Sequence, residues 1–211
     1  MICANEPYGI GRPDLSGKGE IEWGYTKEDG VFVPGGKAHN TIAYNGSDIM
    51  AKLLGGDINY IPKYMGFVFG SGTSPTTLSS SISRSQDWGG ILSEVSSIGN
   101  SNILITPITI NPSFGIDTQN VSTSNYKNNV ITFTGITGAV SGAEYGLLGP
   151  SAKTLENNDS FYHILLMARI KQVNYAPTYI VFSRATLMEN NAYPAKIGGW
   201  QLGVNWSITF Y

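Results

Sequence analysis

Between Trp200 and Phe210 the large apolar residues fall at every second position: Trp200, Leu202, Val204, Trp206, Ile208 and Phe210. Gln201, Gly203, Asn205, Ser207 and Thr209 fill the gaps. A period of two over this length suits a half-buried β-strand and excludes a helix, whose faces repeat every 3.6 residues. A strand with one apolar and one polar side must bury the first against a core. The chain is therefore committed to a layered β architecture, and its most aromatic strand is a keystone that cannot fray without exposing core.

Other segments carry the same signature. EIEWGY at 20–25 and VFV at 31–33 read as short extended pieces, with Glu28-Asp29-Gly30 as the turn between them. KYMGFVFG (63–70), NVITFTGIT (129–137) and TYIVFSRATL (178–187) read as strands. NILITPITI (102–110) is β-rich, and Pro107 puts it at an edge or a bulge. SFYHILLMARIKQV (160–173) suits either a doubly buried strand or a helix. One helix is expected, with Ser47 as N-cap, Ile49, Met50, Leu53 and Leu54 on one face, and Gly55-Gly56 as the stop. The Ser-rich stretch 79–101 and the segment 113–129 read as loops. Six to eight strands with long connections predict an all-β, sandwich or jelly-roll-like domain with one short helix.

Residues 1–38 differ from the rest of the chain. Glycines and prolines punctuate them, and six of the chain's fifteen acids fall in the first thirty residues. The pattern predicts an extended Gly-rich N-terminal arm over 1–38 and a β-sandwich-like body over 39–211. The arm's isolated apolar residues, Ile2, Tyr8, Ile10, Trp23, Tyr25 and Phe32, are the expected assembly contacts. On this reading, removal of 1–35 leaves a folded body that no longer assembles.

No reaction chemistry stands out. The one cysteine, Cys3, excludes an intramolecular disulfide and a multi-cysteine zinc site. His39 and His163 lie far apart in sequence, without metal-ligand spacing, and His163 sits in an apolar run as a core imidazole would. There is no Gly-x-Ser-x-Gly elbow, and the Gly-rich turn GFVFGSGTS lacks the lysine of a phosphate loop. Asp87, Glu94, Asp117, Glu144, Glu156 and Asp159 fall mostly in segments read as loops, where solvated acids are the rule. The expectation is a non-enzyme with no catalytic, cofactor-binding or metal-binding residues.

Charged residues make up 13% of the chain, against roughly 25% in ordinary soluble domains. A surface of Ser, Thr, Asn and Gly carries a low desolvation cost when buried against a partner. The net charge of −2, with its cations scattered, argues against nucleic acid. No apolar run reaches the ~20 residues of a membrane span, and the start has neither a basic n-region nor an apolar h-region. Synthesis in a cytoplasm without export is expected. Trp200 and Trp206 read as core rather than as a ligand platform.

The order of segments resembles tailed-bacteriophage virion proteins of the head-decoration, tail-fibre and collar kinds. The resemblance rests on NTIAYNGSDIMAKLLGGD (40–57), MGFVFGSGTSPTTL (65–78), Glu144-Tyr145-Gly146-Leu147, Met167-Ala168-Arg169, Lys196 and WQLGVNWSITF (200–210). It covers about residues 40–211 and leaves the arm unexplained. It implies a non-enzymatic structural protein located in the virion. The first expectation is a capsid decoration or cement protein, bound to the outer shell through the arm and to other copies of itself, trimers included. The alternatives are a tail-fibre, collar or adaptor protein and, more distantly, a glycan-binding or glycan-processing β-sandwich. Its implied partners are a major capsid protein or a tail protein.

Overall fold

The computed structural model describes residues 18–71, 102–112, 130–137, 156–170, 178–188 and 192–209. They form β1 (Lys18–Thr26), β2 (Phe32–Ile42), α1 (Tyr44–Leu54), a 3-10 turn (Ile58–Tyr60), β3 (Tyr64–Gly70), β4 (Asn102–Pro107) and β5 (Thr109–Pro112). They continue with β6 (Val130–Ile136), β7 (Ser160–Ile170), β8 (Thr178–Thr186) and β9 (Gln201–Thr209). The strands pair in the order β4-β3-β7-β8-β2-β1-β9-β6-β5, every neighbour antiparallel.

This order nearly closes on itself. β4 lies at one end and β5 at the other, yet only Ile108 separates them in the chain. Pro107 ends β4 where the segment turns from one sheet to the other, and the Thr106 hydroxyl reaches across to the Ile136 carbonyl of β6 (3.0 Å). The opposite corner is β2, which pairs with β1 over Phe32–His39 and with β8 over Asn40–Ile42. There the Asn40 side chain accepts from the Gly19 N–H (2.7 Å) and donates to the Ser183 hydroxyl (2.8 Å). Ser183 in turn donates to the Thr41 carbonyl (2.9 Å). Two bent segments thus join sheet A (β5, β6, β9, β1, first part of β2) to sheet B (end of β2, β8, β7, β3, β4), as in barrel-like sandwiches.

The main core lies between the sheets. Ile21 and Trp23 of β1, Phe133 of β6, and Leu202, Val204, Trp206 and Ile208 of β9 meet Phe67, Phe69, Phe161, Ile164, Leu166 and Phe182 from sheet B. β9 is held by β1 on one side and β6 on the other, so the keystone expected from its alternation is central in space. Sheet B carries a second buried cluster, built on Val68, Ile103, Ile105, Tyr162, Leu165, Met167, Tyr179 and Val181. β7 therefore buries both its faces, which is why Ile164–Met167 reads as an unbroken apolar run. It is a strand, not a helix.

The helix forms where expected but begins earlier. Ala43, not Ser47, is the N-cap residue, and it makes no side-chain cap bond. The Ala43 N–H is instead bound by the Phe182 carbonyl of β8 (3.0 Å), so tertiary contact sets the start. The end is a Schellman motif: Gly56 N–H bonds the Leu53 carbonyl, Asp57 N–H bonds the Lys52 carbonyl, and Gly56 takes φ +87°. Ile49 enters the main core, while Met50 and Leu53 pack at its margin.

The boundary expected at residue 38 falls inside β2. Residues 18–38 are not an arm: β1 is paired along its whole length with β9 and on its other edge with β2. The short piece read at 20–25 lies within β1, and residues 32–33 of the piece read at 31–33 open β2, the two being joined by a turn in which Gly30 has φ +81°. Residues 1–17 and the expected loops at 79–101 and 113–129 lie outside the described residues.

Candidate binding face on sheet A

On β1, Ile21, Trp23 and Tyr25 point inward, so Glu20, Glu22, Gly24 and Thr26 point outward. The ladders carry this parity across the sheet. One outward row is Glu22, Asn205, Thr134; the next is Gly24, Gly203, Ile136; the third is Thr26, Gln201. Thr134 donates to Asn205 Oδ1 (2.9 Å), and the Thr132 and Ser207 hydroxyls are bonded at 3.0 Å. Lys37 and Glu20 form an ion pair on the same face, each more than half exposed. Their bond raises the Lys37 pKa and lowers that of Glu20. The face is mostly neutral and hydrogen-bonded from strand to strand.

One aromatic interrupts it. On β2, Gly36 pairs with Trp23 and Ala38 with Ile21, so even-numbered residues there face the core. A β-bulge at Gly35 then shifts the register, and Pro34 pairs with Gly24 and Phe32 with Thr26. The extra residue reverses the parity and turns Phe32 outward. Gly35 is required because a Cβ there would run into the Trp23 ring. The Phe32 ring lies over Gly24, where a Cβ would come within 2.5 Å of Cζ, and beside Gly203, where a Cβ would sit 3.5 Å from Cε2. Phe32 remains 41% exposed and the adjoining Val31 53%.

These positions sort the expected assembly contacts. Phe32 is at the surface. Trp23 is in the core, against Gly35, and cannot serve as a contact; its indole N–H is buried without a partner among the described residues. Tyr25 is half-buried: its hydroxyl donates to the Ala195 carbonyl (2.9 Å) and its ring packs against Trp23 and Trp200. Both are barrel residues, not arm residues. Ile2, Tyr8 and Ile10 lie outside the described residues.

The other residues singled out do not converge. His163 is buried on β7, with Nδ1 3.1 Å from the Thr186 hydroxyl and Nε2 without a partner among the described residues. Burial, with the Arg184 charge, lowers its pKa to about 4. His39 lies on sheet A beside Glu20. Asp159 Oδ2 accepts from the Glu156 N–H (2.9 Å) and closes a local turn. Asp87, Glu94, Asp117 and Glu144 lie outside the described residues. Among the described residues no three His, Cys, Asp or Glu side chains gather as a metal site. Trp206 is fully buried, whereas Trp200 sits half-buried before β9 with the Lys27 ammonium 5.1 Å from its ring centre. Lys196 braces that end by donating to the Ile197 and Trp200 carbonyls (2.8 and 2.6 Å).

The polar rows of sheet A were not singled out from the sequence. The usable signals were the hydroxyl and amide residues between the aromatics of the last strand, and Pro34-Gly35-Gly36, since glycine inside a strand marks a bulge. No protein-family model, curated protein or solved structure matches the chain.

Proposed function

We propose that this chain is a non-enzymatic structural component of a tailed-phage particle, a decoration or cement protein that is tethered by residues 1–17 and holds its β body on the shell. The observation that carries the reading is the setting of β1. The residues before Lys18 lead directly into a strand hydrogen-bonded on both edges, to β2 and to β9. A pull on that segment is resisted by two ladders in shear and by the core side chains Ile21 and Trp23. The segment resemblance over 40–211 and the low-charge composition support the same role. Ile2, Tyr8 and Ile10 are the proposed contacts to shell protein or to neighbouring copies, and many weak contacts then add through avidity.

The test is location. Particles purified from infected cells and probed with a gold-labelled antibody should carry label over the shell. A body starting at residue 18 should fold and fail to join them. Label confined to the tail would replace the shell assignment by an adaptor or fibre role. Absence from particles would overturn the proposal.

A further inference from the structure

We infer that the outer face of sheet A around Phe32 is a binding site for a neutral glycan. Three observations converge on it.

The first is the bulge. Without it Phe32 would face the core with Gly36 and Ala38. Full burial of a phenylalanine side chain is favourable, and a chain optimised only for stability would take it. Bulges recur where a side chain is re-aimed for use. Here the device depends on a glycine that fits only because it has no side chain to strike Trp23.

The second is the support beneath the ring. Gly24 and Gly203 are direct cross-strand partners and form a floor of backbone without side chains. Phe32 rests on that floor, one part held against the sheet and 41% of the residue open to solvent. A ring braced on backbone is a pre-ordered plate, and little conformational entropy is lost when a ligand stacks on it.

The third is the rim. Glu22, Asn205 and Thr134 lie in the row on one side of the floor, and Thr26 and Gln201 in the row on the other. Rows two residues apart along a strand are separated by about 7 Å. Because Asn205 Oδ1 accepts from Thr134, its amide offers a donor, next to the acceptor carboxylate of Glu22. A pyranose has the matching form: a face of C–H groups to lie on an aromatic ring and an edge of hydroxyls to meet donors and acceptors. Lys37 on this face is engaged by Glu20 at 2.6 Å, and Glu20 and Glu22 place carboxylates on the same side, so the chemistry favours a neutral ligand over a phosphate.

The site is independent of the particle role: loss of sugar binding leaves shell location unaffected, and the reverse also holds. The full chain is titrated with cellohexaose, xylohexaose, maltohexaose, mannohexaose and chitohexaose by calorimetry and by amide NMR shifts. At least one should bind at millimolar concentration or better, with shifts centred on Gly24, Phe32, Gly203 and Asn205. Phe32→Ala should weaken binding by about tenfold or more, while Phe32→Tyr keeps it within about threefold. Asn205→Ala should fall between them. Should Phe32→Ala unfold, the Tyr and Asn205 variants still decide the matter. Binding of none of the five sugars, or equal binding by Phe32→Ala, overturns the inference. A wild-type oligomer that dissociates on Phe32→Ala makes the face a contact between copies and overturns it equally.

Discussion

His163 provides a quantitative test of how sheet B is packed. The residue lies on β7 opposite Val68 of β3 and Thr186 of β8, and is 2% exposed. Its Nδ1 meets a hydroxyl and its Nε2 meets no partner among the described residues, so the site accommodates a neutral imidazole rather than a cation. Burial first, and the Arg184 charge second, lower its pKa from 6.5 to about 4. The folded value is the lower one, so as pH falls the unfolded chain takes up the proton first. The stability tied to the neutral ring is therefore complete above pH 6.5 and drains away as pH falls toward 4. The gap of about 2.5 pH units, at about 1.36 kcal/mol each, amounts to about 3 kcal/mol. Urea unfolding at pH 7.5 and pH 4.5, followed by tryptophan fluorescence at fixed ionic strength, measures it. The comparison is His163→Leu combined with Thr186→Val, which leaves no hydroxyl unpaired. Wild type should lose about 2.5 kcal/mol more than the double variant between the two pH values. Losses equal within about 0.5 kcal/mol would refute the reasoning, because carboxylates common to both proteins would then account for the whole acid response.

Two further outcomes follow from the packing. Gly46→Ala should destabilise, although alanine for glycine inside a helix normally gains about 1 kcal/mol, because the new Cβ would strike the Phe182 carbonyl and the Ile42 side chain. Overpacking of that kind costs about 1–3 kcal/mol, for a net loss of up to about 2 kcal/mol in chemical denaturation, and a rise in stability would contradict it. Removal of residues 1–17 should leave a cooperative thermal transition, whereas removal of 1–35 should abolish it by stripping β9 of its β1 partner and the core of Ile21 and Trp23. A cooperatively folding 36–211 fragment would show that the sheet closes without β1.

Much of the fold was legible because burial leaves a period in sequence. β9 was plain, since one of its faces is core and the other solvent, and the two alternate along the strand. β7 was ambiguous for the opposite reason: both its faces are buried, and an unbroken apolar run carries no period. The N-terminal region reads as an arm because β1 and the early part of β2 mix glycine, proline and charge, which normally mark a flexible segment. Gly24 and Gly35 are instead glycines where rings lie close, and Glu20 and Glu22 are simply the solvent side of a central strand. Trp23 and Tyr25, isolated in sequence, are joined to Trp200 only by the pairing of β1 with β9.

By itself the amino-acid order determined the β class, the short helix with its Gly55-Gly56 stop, and the commitment of the last strand to the core. Each depends on side-chain spacing or on the local conformational freedom of glycine, and both are written within a few residues. Only the tertiary structure decided that segment 102–112 links the two ends of the strand order, that Asn40 ties Gly19 to Ser183, and that Phe32 faces solvent. Those outcomes depend on which strands become neighbours and in what register. A one-residue bulge reverses a side chain's direction without changing the composition around it.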